Sequence, residues 1–330
     1  MSPKRAVLRH QFLAQHNYLP EHLEFLASDM SIRQYYRLKQ AQRILMDAPT
    51  PENPNQFIIL AQYLQEQGLR TPLVYDHQLE HGFVWLEDFG DQTYSKILLQ
   101  TPEREAELYH LAVNILQHLH QQAQRQPAFI EEYTIDELLN EVGVFIDWYW
   151  PVTQTQSSYP KAKEDFLSAW QEVLLKMPFL PHSLVLRDYH VDNLMIVSGE
   201  HPLQQCGLLD FQDALWGPVV YDFISLIEDA RRDVSPDLQE QLWNLFLKEV
   251  PLSQHVDYRL GATILGASRH VKVIGVFTRF ALRRNRKDYL QHLPRLWNYL
   301  LKAFEQPVLE PVHNWFESYL PLSKQSIPNL

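Results

Sequence analysis

Three oxygen-bearing residues stand at spacings that suit phosphoryl transfer. They are Asp188, Asn193 five positions later and Asp210 about twenty residues on, in the segments LRDYHVDNL (186–194) and LLDFQD (208–213). Moving a phosphoryl group from a nucleotide to a hydroxyl needs one carboxylate beside the attacking oxygen and further oxygen ligands for a divalent cation on the phosphates. Asp188 is the candidate catalytic base, and Asn193 and Asp210 are candidate ligands of magnesium. A lone D-x-x-x-x-N means little, since Asp and Asn are common in turns and helix caps. Its setting adds the weight: the neighbouring runs are apolar, so the polar groups fall at strand ends or in the loop between strands.

Further polar groups lie close to these in sequence. Gln212 and Asp213 lie two and three positions after Asp210, where a substrate hydroxyl can be held. Asp222 precedes the apolar periodicity Phe223, Leu226, Ile227, Ala230 and so suits a helix start that braces the loop from behind, without itself being catalytic. Arg269, His270 and Lys272 interrupt an otherwise apolar helical stretch. Of these Arg269 is the candidate substrate contact, able to meet the carboxylate of a sugar acid; the alternative is plain solvation at the surface. Asp147, Trp148 and Tyr149 form an acidic and aromatic group of the kind that covers a sugar face, although aromatics in a helix more often serve the core.

The elements that position these groups follow from periodicity. Residues 4–16 suit a short amphipathic helix, and Gln34–Leu38 with Arg43–Met46 suits a hairpin, followed by three prolines in APTPENPNQ (48–56). Gln56–Gln67 is predicted helical with Gly68 as its stop, and Leu73–Tyr75 and Phe83–Leu86 are predicted strands. EDFGDQTY (87–94) is expected to connect this small sheet to a mostly helical remainder, beginning with Glu103–His120. Ser183–Leu186, Leu194–Val197 and Gly207–Phe211 are predicted strands within that helical half, and 153–161 is expected to be a loop.

Composition narrows the function classes. With 330 residues, two lobes fit, and a formal charge of -11 without a dense basic run disfavours nucleic acid as a partner. The single cysteine, Cys206, allows neither an intrachain disulfide nor a cysteine zinc site. No apolar run approaches the ~20 residues of a membrane helix, and the amino-terminal residues lack a signal-peptide core. A cytoplasmic, monomeric enzyme acting on a small molecule is the expectation.

The D-x-x-x-x-N loop, the apolar strand after it and the Asp210-Phe211 pair are similar to the catalytic core of the aminoglycoside phosphotransferase and protein-kinase superfamily. His190, two positions after Asp188, matches the aminoglycoside- and choline-kinase-like members. RDYHVDNLM (187–195), LLDFQDALWGPVVYDFISL (208–226), RILMDAPTPE (43–52) and VWLEDFGD (84–91) resemble the cell-wall-recycling N-acetylmuramate/N-acetylglucosamine anomeric kinases. SRHVKVIGVFTRF (268–280) and EVGVFIDWYW (141–150) extend the resemblance over nearly the whole chain in the same order.

The resemblance implies an α+β, two-lobed, protein-kinase-like fold. A small antiparallel-sheet lobe (1–88) would bind nucleotide, and a larger, mostly helical lobe (89–330) would carry catalysis and substrate. It implies ATP and magnesium as cofactors, with transfer to the anomeric hydroxyl of the amino sugar. Glu87 and Asp88 would mark the hinge that meets the adenine edge. His190 is expected to shape the loop against the substrate rather than to transfer a proton. Two general features of the superfamily are absent: SIRQYYRL has no glycine, and Met46 stands where a strand lysine would. Arg33 and Arg37, with Lys39 behind them, are the candidate replacements. The rival expectations are a kinase of an aminoglycoside or choline-like compound, and a non-catalytic nucleotide-binding protein.

Overall fold

The structure is a computed structural model that describes residues 3–28, 32–153, 159–321 and 328. In chain order its first elements are α1 (Pro3–Gln15), β1 (Leu23–Ser28), β2 (Gln34–Leu38), β3 (Arg43–Asp47), α2 (Pro54–Glu66), β4 (Val74–Gln78), β5 (Phe83–Glu87), α3 (Tyr94–Gln100) and α4 (Glu105–Gln122). There follow α5 (Ile135–Trp148), α6 (Trp150–Thr153), α7 (Tyr159–Leu175), β6 (His182–Val185), β7 (Leu194–Ile196), β8 (Cys206–Leu208) and β9 (Leu215–Pro218). The chain ends with α8 (Val220–Ile227), α9 (Pro236–Phe246), α10 (His255–Arg284), α11 (Leu293–Ala303) and α12 (Glu310–Tyr319). Packing divides these into two compact units, 1–115 with 191–213, and 116–190 with 214–330. That division keeps α3 and the returning pair β7–β8 with the small sheet, and so differs from a single cut at residue 88.

In the first unit β1-β2-β3-β5-β4 form one sheet, with every neighbouring pair antiparallel. Alternation sorts its residues onto two faces. Tyr36, Leu38, Leu45, Phe83 and Trp85 form one face and pack with Phe12 and Leu13 of α1 into a buried cluster. Phe12 stacks on Phe83 and Trp85 at 5.3 and 5.8 Å between ring centroids. Asp47, buried on the same face, holds α1 by accepting from Arg5 Nε at 2.7 Å and Arg9 Nη1 at 3.4 Å. The opposite face carries Tyr35, Ile44, Met46, Val84 and Leu86. Helix α2 starts with the Asn53 side chain capping Gln56 N–H and with Pro54 in its first turn. Gly68, at φ +82, lies just past its end.

The pair β7–β8 runs beside the connector. Gly207 lies where an added Cβ would fall 2.5 Å from the Phe89 ring, so only glycine admits that ring. In the second unit Phe145 of α5 stacks on Tyr149 and Phe166, and Trp315 meets Phe166 at 4.7 Å. At Gly275 of α10 a Cβ would stand 2.6 Å from backbone atoms of Val144 and Phe145, which locks α10 against α5.

The predicted strand Gln34–Leu38 is observed with the same limits, and the others shift by one to three residues at an end. Three elements are not anticipated. β1 reads LEFLAS, good helix formers that become a strand by pairing with β2, while β9 is held by β6. α3 begins inside the expected connector because Thr93 caps Lys96 N–H at 3.2 Å. Residues 154–158 of the loop expected at 153–161 lie outside the described residues, and α7 resumes at Tyr159.

Candidate active site

Within the first unit a pocket of about 410 Å³ opens on the sheet face opposite α1, a volume suited to a small ligand or cofactor. Tyr35, Ile44 and Leu86 from the sheet, Phe57 from α2, and the connector residues Glu87 to Asp91 line it. Asn193 and Asp210 line it as well. The register Leu194↔Leu208 in β7–β8 explains why these two meet at one end of a hairpin: Asn193 precedes the first pair and its carbonyl accepts from Leu209 N–H at 3.0 Å. Asp210 follows at φ +57, a left-handed conformation that costs a non-glycine residue about 1 kcal/mol or more. Phe211 then turns inward and stacks on Phe57 at 5.0 Å. Gln212 donates to Asp210 Oδ1 at 2.8 Å and to Asp213 Oδ2 at 3.1 Å, so the three residues form one polar group.

The three candidate cations of the first unit separate. Arg33 is buried between Glu52, at 3.4 Å, and Asp210, at 3.7 Å. Arg37 crosses to the connector, donating to Asp88 at 2.6 and 3.0 Å, to Asp91 at 3.0 Å and to the Gly90 carbonyl at 3.1 Å. Lys39 is exposed and paired with Glu24 at 3.1 Å. Met46 is buried on the pocket face, in register with Tyr35 and Val84. Glu87 pairs with Arg70 and accepts from Leu73 N–H at 3.2 Å, while Asp88 accepts from Gly90 N–H at 2.8 Å. Both acids thus shape the connector.

In the second unit β6 runs out into Leu186, Arg187 and Asp188. Buried Asp222, in the first turn of α8, accepts from Leu186 N–H at 2.6 Å and Arg187 N–H at 2.9 Å. Burial pushes its carboxyl up to about 7 against the downward pull of those two N–H groups, with Asp188 adding to the rise and Arg269 opposing it. Arg187 sits at φ +71 and its guanidinium pairs with Glu141. Glu141 also accepts from Lys272 Nζ at 2.7 Å and from the Tyr133 hydroxyl. Burial alone would raise the Glu141 carboxyl, but Lys272 and Arg187 together bring it down to about 2. His190 is buried, and burial with the charges of Arg231 and Arg269 lowers its pKa well below the ordinary value, so the ring is neutral.

The remaining expected contacts fall in different settings. Arg269 is buried, and its charge acts on Asp222 and His190. Asp147 is exposed and engaged by Lys163 at 2.6 Å and the Tyr159 hydroxyl, and Trp148 lies under Arg283 at 4.5 Å. Sequence reasoning missed Glu141, Arg187, Glu52 and Phe57. Glu141 left a signal, since it is the one charge in the apolar stripe Leu138, Val142, Phe145.

Among the described residues no helix is long and apolar enough to cross a membrane. Residues 22–254 match the model of the phosphotransferase enzyme family. The chain is 27% identical to the N-acetylmuramate/N-acetylglucosamine kinase of Caulobacter vibrioides, with 98% of each chain covered. It is 33% identical to the Pseudomonas aeruginosa protein of that name, over 86% of this chain and 84% of the relative. The solved structure of the ADP-bound aminoglycoside phosphotransferase APH(2'')-Ib shares the fold with a TM-score of 0.60 at 14% identity, covering 92% of this chain and 99% of that one.

Proposed function

The chain belongs to the phosphotransferase enzyme family, and from that premise we infer that it moves the γ-phosphoryl group of ATP to the anomeric hydroxyl of N-acetylmuramate and N-acetylglucosamine, giving the sugar 1-phosphate. The observation that carries the reading is the similarity to kinases of these two sugars, at 27–33% identity over most of the chain. Neither an aminoglycoside or choline-like acceptor nor a non-catalytic role is favoured by those relatives.

In this reading Asp188 accepts the proton of the attacking hydroxyl, and Asp222 fixes the loop that aims it. Arg33, held by Glu52, meets the phosphates in place of the strand lysine, while Arg37 ties the connector whose residues Glu87 and Asp88 border the adenine. Phe57 and the apolar sheet face contact the base. His190, Gln212, Asp213 and Arg269 contact the sugar, and Asp147 and Trp148 are the more distant candidates. The 1–88 segment binds the nucleotide, and 89–330 carries catalysis and substrate, including the metal ligands Asn193 and Asp210.

Magnesium fits the residues present. One carboxylate and one amide oxygen share a hairpin end and line the same pocket, which suits an ion that takes its other ligands from phosphate and water. Asn193 and Asp210 would hold it, and when bound it supplies neutralisation of charge on the phosphate oxygens. The reading places the enzyme in the cytoplasm as a monomer. Incubation with each sugar, ATP and magnesium is expected to yield an acid-labile 1-phosphate; phosphate on another hydroxyl, or no turnover, rejects the assignment.

A further inference from the structure

Four cations surround the loop that carries Asp188, and three of them have a carboxylate partner. Arg187 and Lys272 both pair with Glu141. Arg231 pairs with buried Asp229, which accepts from its Nη1 at 3.2 Å and its backbone N–H at 3.0 Å. Arg269 differs. It is 4% exposed, and among the described residues its side chain makes no hydrogen bond or ion pair, with Nη1 fully enclosed and unmatched. The oxygens of the acid whose charge reaches it, Asp222, accept from the backbone of Leu186 and Arg187.

The position of Arg269 is also directional. It precedes Lys272 by three residues on α10, so both project from one face of that helix. Lys272 acts on Asp188 and Glu141, and Arg269 acts on Asp222 and His190. That face of α10 is therefore turned to the base loop. Arg231 acts on the same His190 ring, which brings two guanidinium groups to a residue two positions from the assigned base. A buried guanidinium with no anion bonded to it is costly to maintain, and its planar donor fork is shaped for a carboxylate.

We infer that Arg269, flanked by Arg231, binds the carboxylate by which N-acetylmuramate differs from N-acetylglucosamine, and so sets the preference between the two acceptors. The inference rests on the acceptor assignment above. In that arrangement the anomeric hydroxyl faces Asp188 while the lactyl carboxylate meets the buried fork.

The test compares kcat/KM for N-acetylmuramate, its carboxamide and N-acetylglucosamine, in the unaltered enzyme and in Arg269→Met, Arg269→Lys and Arg231→Met, with folding checked by circular dichroism. The unaltered enzyme is expected to lose tenfold or more on the carboxamide, chiefly through KM. In Arg269→Met the acid and the carboxamide are expected to become equal, and the ratio of acid to N-acetylglucosamine to fall by at least tenfold. Arg269→Lys should recover part of that ratio and Arg231→Met should lose a smaller share. An acid-to-carboxamide ratio unchanged in Arg269→Met, or an equal loss on all three sugars, overturns the inference. Should that variant not fold, equal kcat/KM for acid and carboxamide in the unaltered enzyme overturns it. Turnover of none of the three rejects the acceptor assignment instead, and the inference with it.

Discussion

In the first unit the proposed metal carboxylate, Asp210, is itself the residue at positive φ, and its neighbours are side chains: Gln212 at 2.8 Å and Arg33 at 3.7 Å. In the second unit the residue at positive φ, Arg187, precedes the assigned base, and the loop is gripped by its backbone through buried Asp222. The two regions thus hold their proposed functional carboxylates by different means. One presents it to a pocket with apolar walls, where a ligand completes the polar environment. The other invests in a buried network of Asp222, Glu141, Arg187 and Lys272 before any ligand arrives. The comparison teaches that strain at φ > 0 accompanies both sites, while the base loop is the one backed by a carboxylate, Glu141, shared between two cations.

Replacing Asp188 by Asn probes that contrast most directly. Turnover is expected to fall on the order of 10³-fold, about 4 kcal/mol in barrier, while the melting temperature and ATP affinity stay near their original values, as kinetics, calorimetry and nucleotide titration would reveal. A large drop in melting temperature would mean that Asp188 belongs to the holding network instead.

Glu141→Gln tests the network itself. The native carboxyl lies at about 2, below the ordinary 4.5, because Lys272 and Arg187 overcome burial. As pH falls the unfolded chain therefore binds the proton first, so this stabilisation is present in full above pH ~4.5 and is lost as pH drops through ~2. At neutral pH the variant should be less stable by about 3 kcal/mol, and the gap should close in acid. Parallel denaturation curves at all pH values would remove Glu141 from the account.

The smallest effect is expected in the first unit. Arg33→Met should raise KM for ATP and lower kcat/KM about tenfold or somewhat more, the scale of one charge-assisted contact, without changing the acid dependence of stability. An equal loss in Arg37→Met and none in Arg33→Met would reverse the assignment of the two arginines.

Much of this layout was legible in the chain. The alternation in Gln34–Leu38 and Arg43–Met46 announced the hairpin, and the apolar runs around Asn193 and Asp210 announced the two strands whose pairing the structure then supplies. Asp222 stood out as an acid at the start of an apolar helix, where it now meets two backbone N–H groups. Arg33, Arg37 and Lys39 could not be sorted from one another, since all three are long cations beside a strand. Their directions depend on partners far along the chain: Glu52 and Asp210 for the first, Asp88 and Asp91 for the second, and Glu24 for the third. β1 was hidden for a related reason, as its residues favour a helix locally and become a strand only against β2. Glu141 was overlooked because one acid in an apolar stripe reads as an exception until Arg187 and Lys272 are seen beside it.

Asp47 carries a lesson for anyone who would trim the protein. It stands next to Met46 in β3 but faces away from the pocket, toward Arg5 and Arg9. Deleting the first fifteen residues, which takes away α1, would remove nothing assigned to ATP or sugar, yet it would strand a desolvated acid on the back of the nucleotide sheet and uncover Phe83 and Trp85 by removing Phe12. Such a shortened enzyme should fail by aggregation before it fails in chemistry.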